Sequence, residues 1–172
     1  MTTGSCHLWY CSYFSLARKP TMQRKVWAEE NCPMARAVDL IGEWGSILIL
    51  REAFAGVRRF DDFQQNLQMS RNLLTTRLKK LVEGGVLIRQ PIAENAKRLE
   101  YVLTPMGLDL VTTLVALRQW GDRWLFADCQ QPARLIDLQD GSVIPPVQIR
   151  AASGRVVSPA DIGMEEIKKA GN

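Results

Sequence analysis

The sequence predicts an α+β fold, mainly α, on three observations. Between Pro33 and Glu83, four apolar runs recur at helical spacing, and only Gln68-Met69 separates the third from the fourth. From Val86 to Thr104 the period drops to two: "VLIRQPI" and "RLEYVLT" alternate around "AENAK", as a β-hairpin does. After Thr104-Pro105 a long helical pattern runs to about Phe126, and residues 128–172 then change composition.

Each element has local reasons. Pro33 opens a helix through about Gly42, with Met34, Ala37, Val38 and Ile41 on its apolar side. "SILILREAF" gives a second helix from Ser46 to Ala55, apolar enough to be central, and Gly56 ends it in a left-handed conformation. Asp61 or Asp62 starts a short helix that turns Phe60, Phe63 and Leu67 inward. Ser70 is an N-cap for the fourth helix, which "EGG" stops after Glu83. Thr104 caps the last helix, with Pro105 in its first turn. That helix carries Leu108, Leu110, Val111, Leu114, Val115, Leu117, Trp120 and Trp124, an apolar surface wider than one stripe. A helix apolar on more than one side is covered on more than one side, and in so small a domain the second cover is most simply a partner subunit. Beyond it, "ARLID…DGS" and "VQIRAASGRVV" read as short strands around turns, a small β-rich or loosely ordered appendage.

Helix, helix, short helix, tight turn, helix, hairpin is the order of a winged helix-turn-helix, and the fourth helix is the informative one. In "SRNLLTTRLKKL" the leucines Leu74, Leu78 and Leu81 share one side, while Asn72, Thr75, Thr76 and Lys79 lie opposite. Short polar groups and cations on a helix of groove-fitting diameter suit base edges and phosphates. Ser70 and Arg71 stand at the N-terminal end, where the helix dipole favours an anion. Lys79 and Lys80 extend toward phosphates, Lys97 and Arg98 arm the hairpin tip, and Arg58 and Arg59 precede the short helix. Arg77 lies nearer the buried side, open to an acid or a phosphate.

Charge supports a polyanion. The chain's net charge is +4, yet residues 57–98 alone hold nine Lys/Arg against four Asp/Glu. A local excess of this kind says more about a partner than the overall pI does. The expected partner is double-stranded DNA. Other classes lack support: there is a single histidine, His7, no phosphate loop and no metal-ligand cluster, so no enzyme, metal or cofactor is expected. Cys6, Cys11, Cys32 and Cys129 form no CxxC pair, which suits reduced thiols in a cytoplasmic protein. No apolar run approaches the length that crosses a bilayer.

The run from Cys32 to Trp124 resembles the HxlR-type bacterial transcription regulators, relatives of the MarR group. The motifs are "CP…R…D.IG", "ILRE", "RRF.DF", "SRN.L..RL..L...G", "Y.LT..G" and "WGDRW". The resemblance implies a homodimer built by the first and last helices, here with Leu110, Leu114, Leu117 and Trp120 in the interface, bound to an inverted-repeat operator. It implies an effector whose class, small molecule or oxidant, stays open. Gly45 departs from the family, which usually carries an aromatic there; the expectation is looser packing between the first two helices and a weaker pocket. Cys129 stands alone where some relatives have paired cysteines, so metal binding does not carry over.

Cys32 has two readings. As in several family members it is a thiol sensor, favoured by its place at a helix start, or it is an inert small residue at the dimer edge. Trp27, Trp44, Trp120 and Trp124 read as core and interface residues. The expected organisation is a disordered or upstream extension over 1–24, a DNA-binding and dimerisation domain over 25–127, and the appendage over 128–172. The rival function is a redox-responsive or protein-binding winged-helix module that does not touch DNA.

Overall fold

The computed structural model describes residues 31–93, 96–126 and 131–165. The expected N-terminal extension, Trp27, Glu94 and Asn95 of the hairpin tip, and Cys129 lie outside the described residues.

The helices are α1 (Pro33–Ile41), α2 (Trp44–Phe54), α3 (Phe60–Leu67) and α4 (Arg71–Glu83). Strands β1 (Leu87–Pro91) and β2 (Leu99–Leu103) follow, then α5 (Pro105–Leu108) and α6 (Val111–Trp124). The strands form one antiparallel sheet in which Leu87 faces Leu103 and Arg89 faces Tyr101. The Tyr101 amide also donates to the Arg58 carbonyl at 2.8 Å, so the segment before α3 lines the free edge of β2. This is a helix-rich α+β fold with a small sheet, consistent with a winged helix-turn-helix.

One core holds it together. Ile49 and Leu50 from α2, Phe63 from α3, Met69 from the turn, Leu74, Leu78 and Leu81 from α4, and Val86 and Leu87 at the hairpin base are buried together. α2 is central as its composition demands, packing against α1, α3, α4, β2 and α6. Phe63 meets Tyr101 edge-on, with ring centroids 6.4 Å apart, and so joins α3 to the sheet. Gly56 takes φ +90 after α2, a conformation that costs an L side chain energy. Gln68 takes φ 50 between α3 and α4, the tight turn expected there.

Several boundaries differ from the sequence reading. α2 begins at Trp44, two residues early. α3 begins at Phe60 with Arg59 in the capping position, so Asp61 and Asp62 sit inside the first turn instead of starting it. Carboxylates are favourable there as well, beside the positive end of the helix. The long last helix is divided. The Leu110 amide bonds back to Gly107 at 3.2 Å, an i to i−3 bond, before α6 resumes the α pattern. Within α5, Gly107 packs so closely on the hairpin base that a Cβ would meet the Val86 carbonyl oxygen.

The appendage also differs. Its two expected strand pairs appear only as isolated bridges, Ile136 with Val143 and Arg150 with Val156, followed by a 3-10 turn at Pro159–Asp161. None of residues 131–165 is buried. α6 holds the segment by polar anchors. Arg118 donates to the Ala133 carbonyl at 2.7 Å, and Gln119 donates to the Pro145 carbonyl at 2.9 Å while accepting from the Val147 amide at 2.7 Å.

Thr104 ties the hairpin to the last helices. Its hydroxyl donates to the Gly85 carbonyl at 2.6 Å and accepts from the Gly107 amide at 3.1 Å, capping α5 as expected. Thr104→Ala is expected to cost about 1–2 kcal/mol of stability, the scale of a lost N-cap. Urea unfolding at fixed pH checks this, and Thr104→Ser should recover most of the loss.

Candidate nucleic-acid interface

α4 starts where its sequence says. Ser70 is extended, with φ −61 and ψ 146, and its Oγ accepts from the Leu73 amide at 3.3 Å. Three leucines at i, i+4 and i+7 bury one side completely. Asn72, Thr75, Thr76 and Lys79 are exposed on the opposite side, as helical geometry requires. The Thr76 hydroxyl donates to the Asn72 carbonyl one turn back, at 2.8 Å.

The cations divide into two sets. Arg77 turns inward and pairs with Glu43 beside the start of α2. Lys80 turns toward α1 and reaches Asp39 at 3.8 Å, an inter-helix contact that the sequence did not foretell. Both lie on the flank of α4 that faces α1 and α2, away from the polar stripe. Lys79 reaches Glu83 at 3.6 Å, but both side chains are well exposed. Such pairs are worth little in water, so Lys79 stays available to an anion. Arg71 lies over the Phe60 ring, 5.1 Å from its centroid, which holds the guanidinium near the start of α4.

Lys97 and Arg98 are exposed just beyond the hairpin tip, and the Ile92 amide bonds to the Arg98 carbonyl at 3.1 Å to close it. Arg59 is exposed at the head of α3. Arg58 is exposed but leans on Glu100 at 3.7 Å, and Gln90 donates to the same carboxylate at 3.0 Å. Arg89 adds an exposed cation on β1 that the sequence reading passed over. Its signal was present in "VLIRQPI", where Arg89 is the one charged residue of the expected strand.

Gly45 is not a loose spot. A Cβ there would stand 3.4 Å from both Arg77 Cγ and Met69 Cε, so the arginine stem and the methionine fill the volume a larger residue would take. Cys32 is the exposed N-cap residue of α1, and the Arg36 amide bonds to its carbonyl at 3.1 Å. Trp44, Trp120 and Trp124 are all exposed, so none of the described tryptophans belongs to the core. Leu110 and Leu114 pack, half buried, against the chain's own core. Leu117, Trp120 and Trp124 are 48%, 54% and 67% exposed and form one stripe at i, i+3 and i+7. On α1, Met34 and Val38 are exposed, while Leu40 and Ile41 pack inward. Among the described residues no cluster of His, Cys, Asp or Glu could hold a metal ion, and no helix is long and apolar enough to cross a membrane.

A polar helix face, an adjoining cationic hairpin and this element order meet a known family. The HxlR-like helix-turn-helix family model matches residues 40–128, just over half of the chain. The chain belongs to that family. An uncharacterized HTH-type transcriptional regulator of Mycobacterium tuberculosis is 48% identical over 96 residues, covering 56% of this chain and 61% of that protein. The chain thus spans less than two thirds of that relative's length. A second HTH-type transcriptional regulator, from Synechocystis, is 38% identical over 95 residues, covering 55% of this chain and 70% of the relative.

The solved structure of PA1607, described as a candidate transcription factor, is 39% identical with a TM-score of 0.77, covering 81% of this chain and 98% of PA1607. PA1374 from Pseudomonas aeruginosa, described in the same way, is 38% identical with a TM-score of 0.58, covering 81% of this chain and 95% of its own. That share is larger than residues 1–126 can fill, so the likeness extends into the appendage.

Proposed function

We propose that this chain is a sequence-specific transcription regulator of the HxlR type, binding duplex DNA as a homodimer with α4 in the major groove and the β1–β2 wing alongside. The observation that carries the reading is the division of α4. Leu74, Leu78 and Leu81 are fully buried, and the outward stripe holds only short polar groups and one weakly paired lysine before Glu83. Ser70 and Arg71 stand at its positive end, where a phosphate is favoured. Arg89, Lys97 and Arg98 extend the same charge along the wing. Family membership and the relatives named as transcriptional regulators support the same reading.

In this proposal residues 25–127 form the DNA-binding and dimerisation unit, and residues 128–172 an appendage on α6. A two-fold dimer presents one α4 per subunit, so the operator is an inverted repeat with half-sites on the order of 10 bp apart, centre to centre. Asn72, Thr75 and Thr76 address base edges. Arg58, Arg59, Ser70, Arg71, Lys79, Lys97 and Arg98 address the backbone. Titration of duplex DNA at several salt concentrations tests this. Affinity is expected to fall steeply with salt. Lys97→Ala should weaken all duplexes alike and reduce the log–log slope by roughly one, whereas Asn72→Ala should relax sequence preference at a cost of ~1–3 kcal/mol. Salt-independent binding, or none, would favour a winged-helix module that contacts protein.

The second subunit is proposed to cover the stripe of Leu117, Trp120 and Trp124, together with the exposed Met34 and Val38 of α1. Leu117 lies outside the subunit's own core, so Leu117→Asp acts on association and not on folding. Sedimentation should shift from dimer to monomer, because an uncompensated charge cannot be buried cheaply. A parent protein that sediments as a monomer at about micromolar concentration would defeat the dimer.

Cys32 is proposed as the point where an oxidant acts. Its thiol is exposed at the head of the helix whose outer side faces the partner in this arrangement. A disulfide-forming oxidant such as diamide is expected to change duplex affinity in the parent and not in Cys32→Ser. An equal response in both proteins, or in neither, makes Cys32 a plain helix-start residue.

A further inference from the structure

We infer that Thr76 reads its base pair through its methyl group, selecting thymine, and not through its hydroxyl. The inference rests on the DNA-binding reading above and adds a chemical preference at one position. Thr76 lies on the outward stripe of α4 one turn after Asn72, and its Oγ1 donates to the Asn72 carbonyl at 2.8 Å. A hydroxyl has one hydrogen to give, and here the helix's own backbone takes it. Thr75, its neighbour on the same stripe, makes no such bond among the described residues.

Two consequences follow from that bond. A polar contact discriminates mainly because a buried donor left without a partner is penalised. Thr76 carries its partner with it into any groove, so a base without an acceptor opposite it incurs no such penalty. As a donor the hydroxyl therefore selects weakly, and its lone pairs can accept only from an amino group, which thymine lacks, so a thymine preference falls to the methyl. The bond also holds the side chain about χ1, which is already stiff in a β-branched residue within a helix. A pinned hydroxyl leaves the γ-methyl pinned as well, on an exposed side chain. In the major groove the apolar partner for such a group is the C5-methyl of thymine, whereas cytosine and the purines offer polar edges. Asn72 keeps its side-chain amide for hydrogen-bond readout, so two positions one turn apart use different chemistry.

The test removes one methyl from each side of the contact. Full-length protein is used to enrich a preferred duplex from a randomised double-stranded library. Each thymine of that duplex is then replaced singly by deoxyuridine, in both half-sites together. The parent, Thr76→Ser and Thr76→Val are titrated against every duplex. For the parent, one position is expected to lose roughly threefold to fivefold in affinity per half-site, the scale of one buried methyl. Thr76→Ser should be indifferent to deoxyuridine at that position, and Thr76→Val should still discriminate. The inference is overturned if no thymine methyl matters to the parent, if Thr76→Ser keeps the discrimination, or if Thr76→Val loses it. Failure to enrich any duplex overturns the DNA-binding reading itself and this inference with it, so the two failures are distinguishable.

Discussion

The packing of α4 on α2 is the contact from which the rest of the architecture takes its geometry. Leu74, Leu78 and Leu81 are fully buried, and they meet Ile49 and Leu50 of α2 and Phe63 of α3 in one cluster. Each leucine contributes on the order of 2 kcal/mol by burial, so rotating α4 by even part of a turn would expose apolar surface at a cost near the whole stability of a small domain. The outward face is thereby settled by the inward one. The same core takes Val86 and Leu87 from the base of the hairpin, so the wing stands at a fixed offset from α4. Tyr101 against Phe63 and its amide on the Arg58 carbonyl secure the other arm.

Charge is then sorted by position. The local excess of cations is larger in sequence than on the outward surface, because Arg77 and Lys80 turn back to Glu43 and Asp39. These pairs join α4 to the start of α2 and to α1 and so limit rotation about the leucine seam. Their value lies in orientation more than in net energy, since the desolvation of a half-buried pair offsets much of its attraction. Gly45 belongs to this arrangement. With no side chain, it leaves the space beside α2 to the Arg77 stem and Met69. The cations that stay exposed around α4 and the wing are Arg58, Arg59, Arg71, Lys79, Arg89, Lys97 and Arg98.

Local signals were legible in proportion to how local their causes are. The Ser70 and Thr104 caps, the left-handed Gly56 and the leucine seam of α4 follow from neighbouring residues, and all stand where the sequence puts them. The split of the last helix was hidden, and so was the close approach of Gly107 to the Val86 carbonyl, 21 residues away. The partners of Arg77 and Lys80 were hidden for the same reason: helical periodicity gives the side of a helix, not the residue waiting across from it. The appendage reads as β-rich because Val and Ile are common there, yet strands need a covered face as well as propensity. Its hairpins close at one bridge each.

The last helix, read from sequence as one broad apolar surface, has three faces with different covers, two apolar and one polar. Leu110 and Leu114 face the chain's own core, four residues apart. Arg118, Gln119 and the backbone of Asp122 face the appendage: the two side chains donate to its main-chain carbonyls, and the Asp122 carbonyl accepts from the Gln131 side chain. Leu117, Trp120 and Trp124 face neither, and they lie on the side away from the appendage anchors. An appendage fastened by polar groups on one flank leaves the apolar flank clear, so it does not compete with a second copy for the stripe. Its residues 131–165 carry three arginines against four carboxylates, which gives it no attraction to the polyanion that the wing and α4 are proposed to meet. α6 follows α5, which Thr104 and the close packing of Gly107 join to the hairpin, and Leu110 and Leu114 rest on the core that holds α4, so the stripe is coupled to α4. In the proposed dimer, any change in how two stripes meet therefore moves both α4 helices together. Half-site spacing becomes a property of the interface, and an effector that shifts the interface needs no pathway through the recognition helix itself.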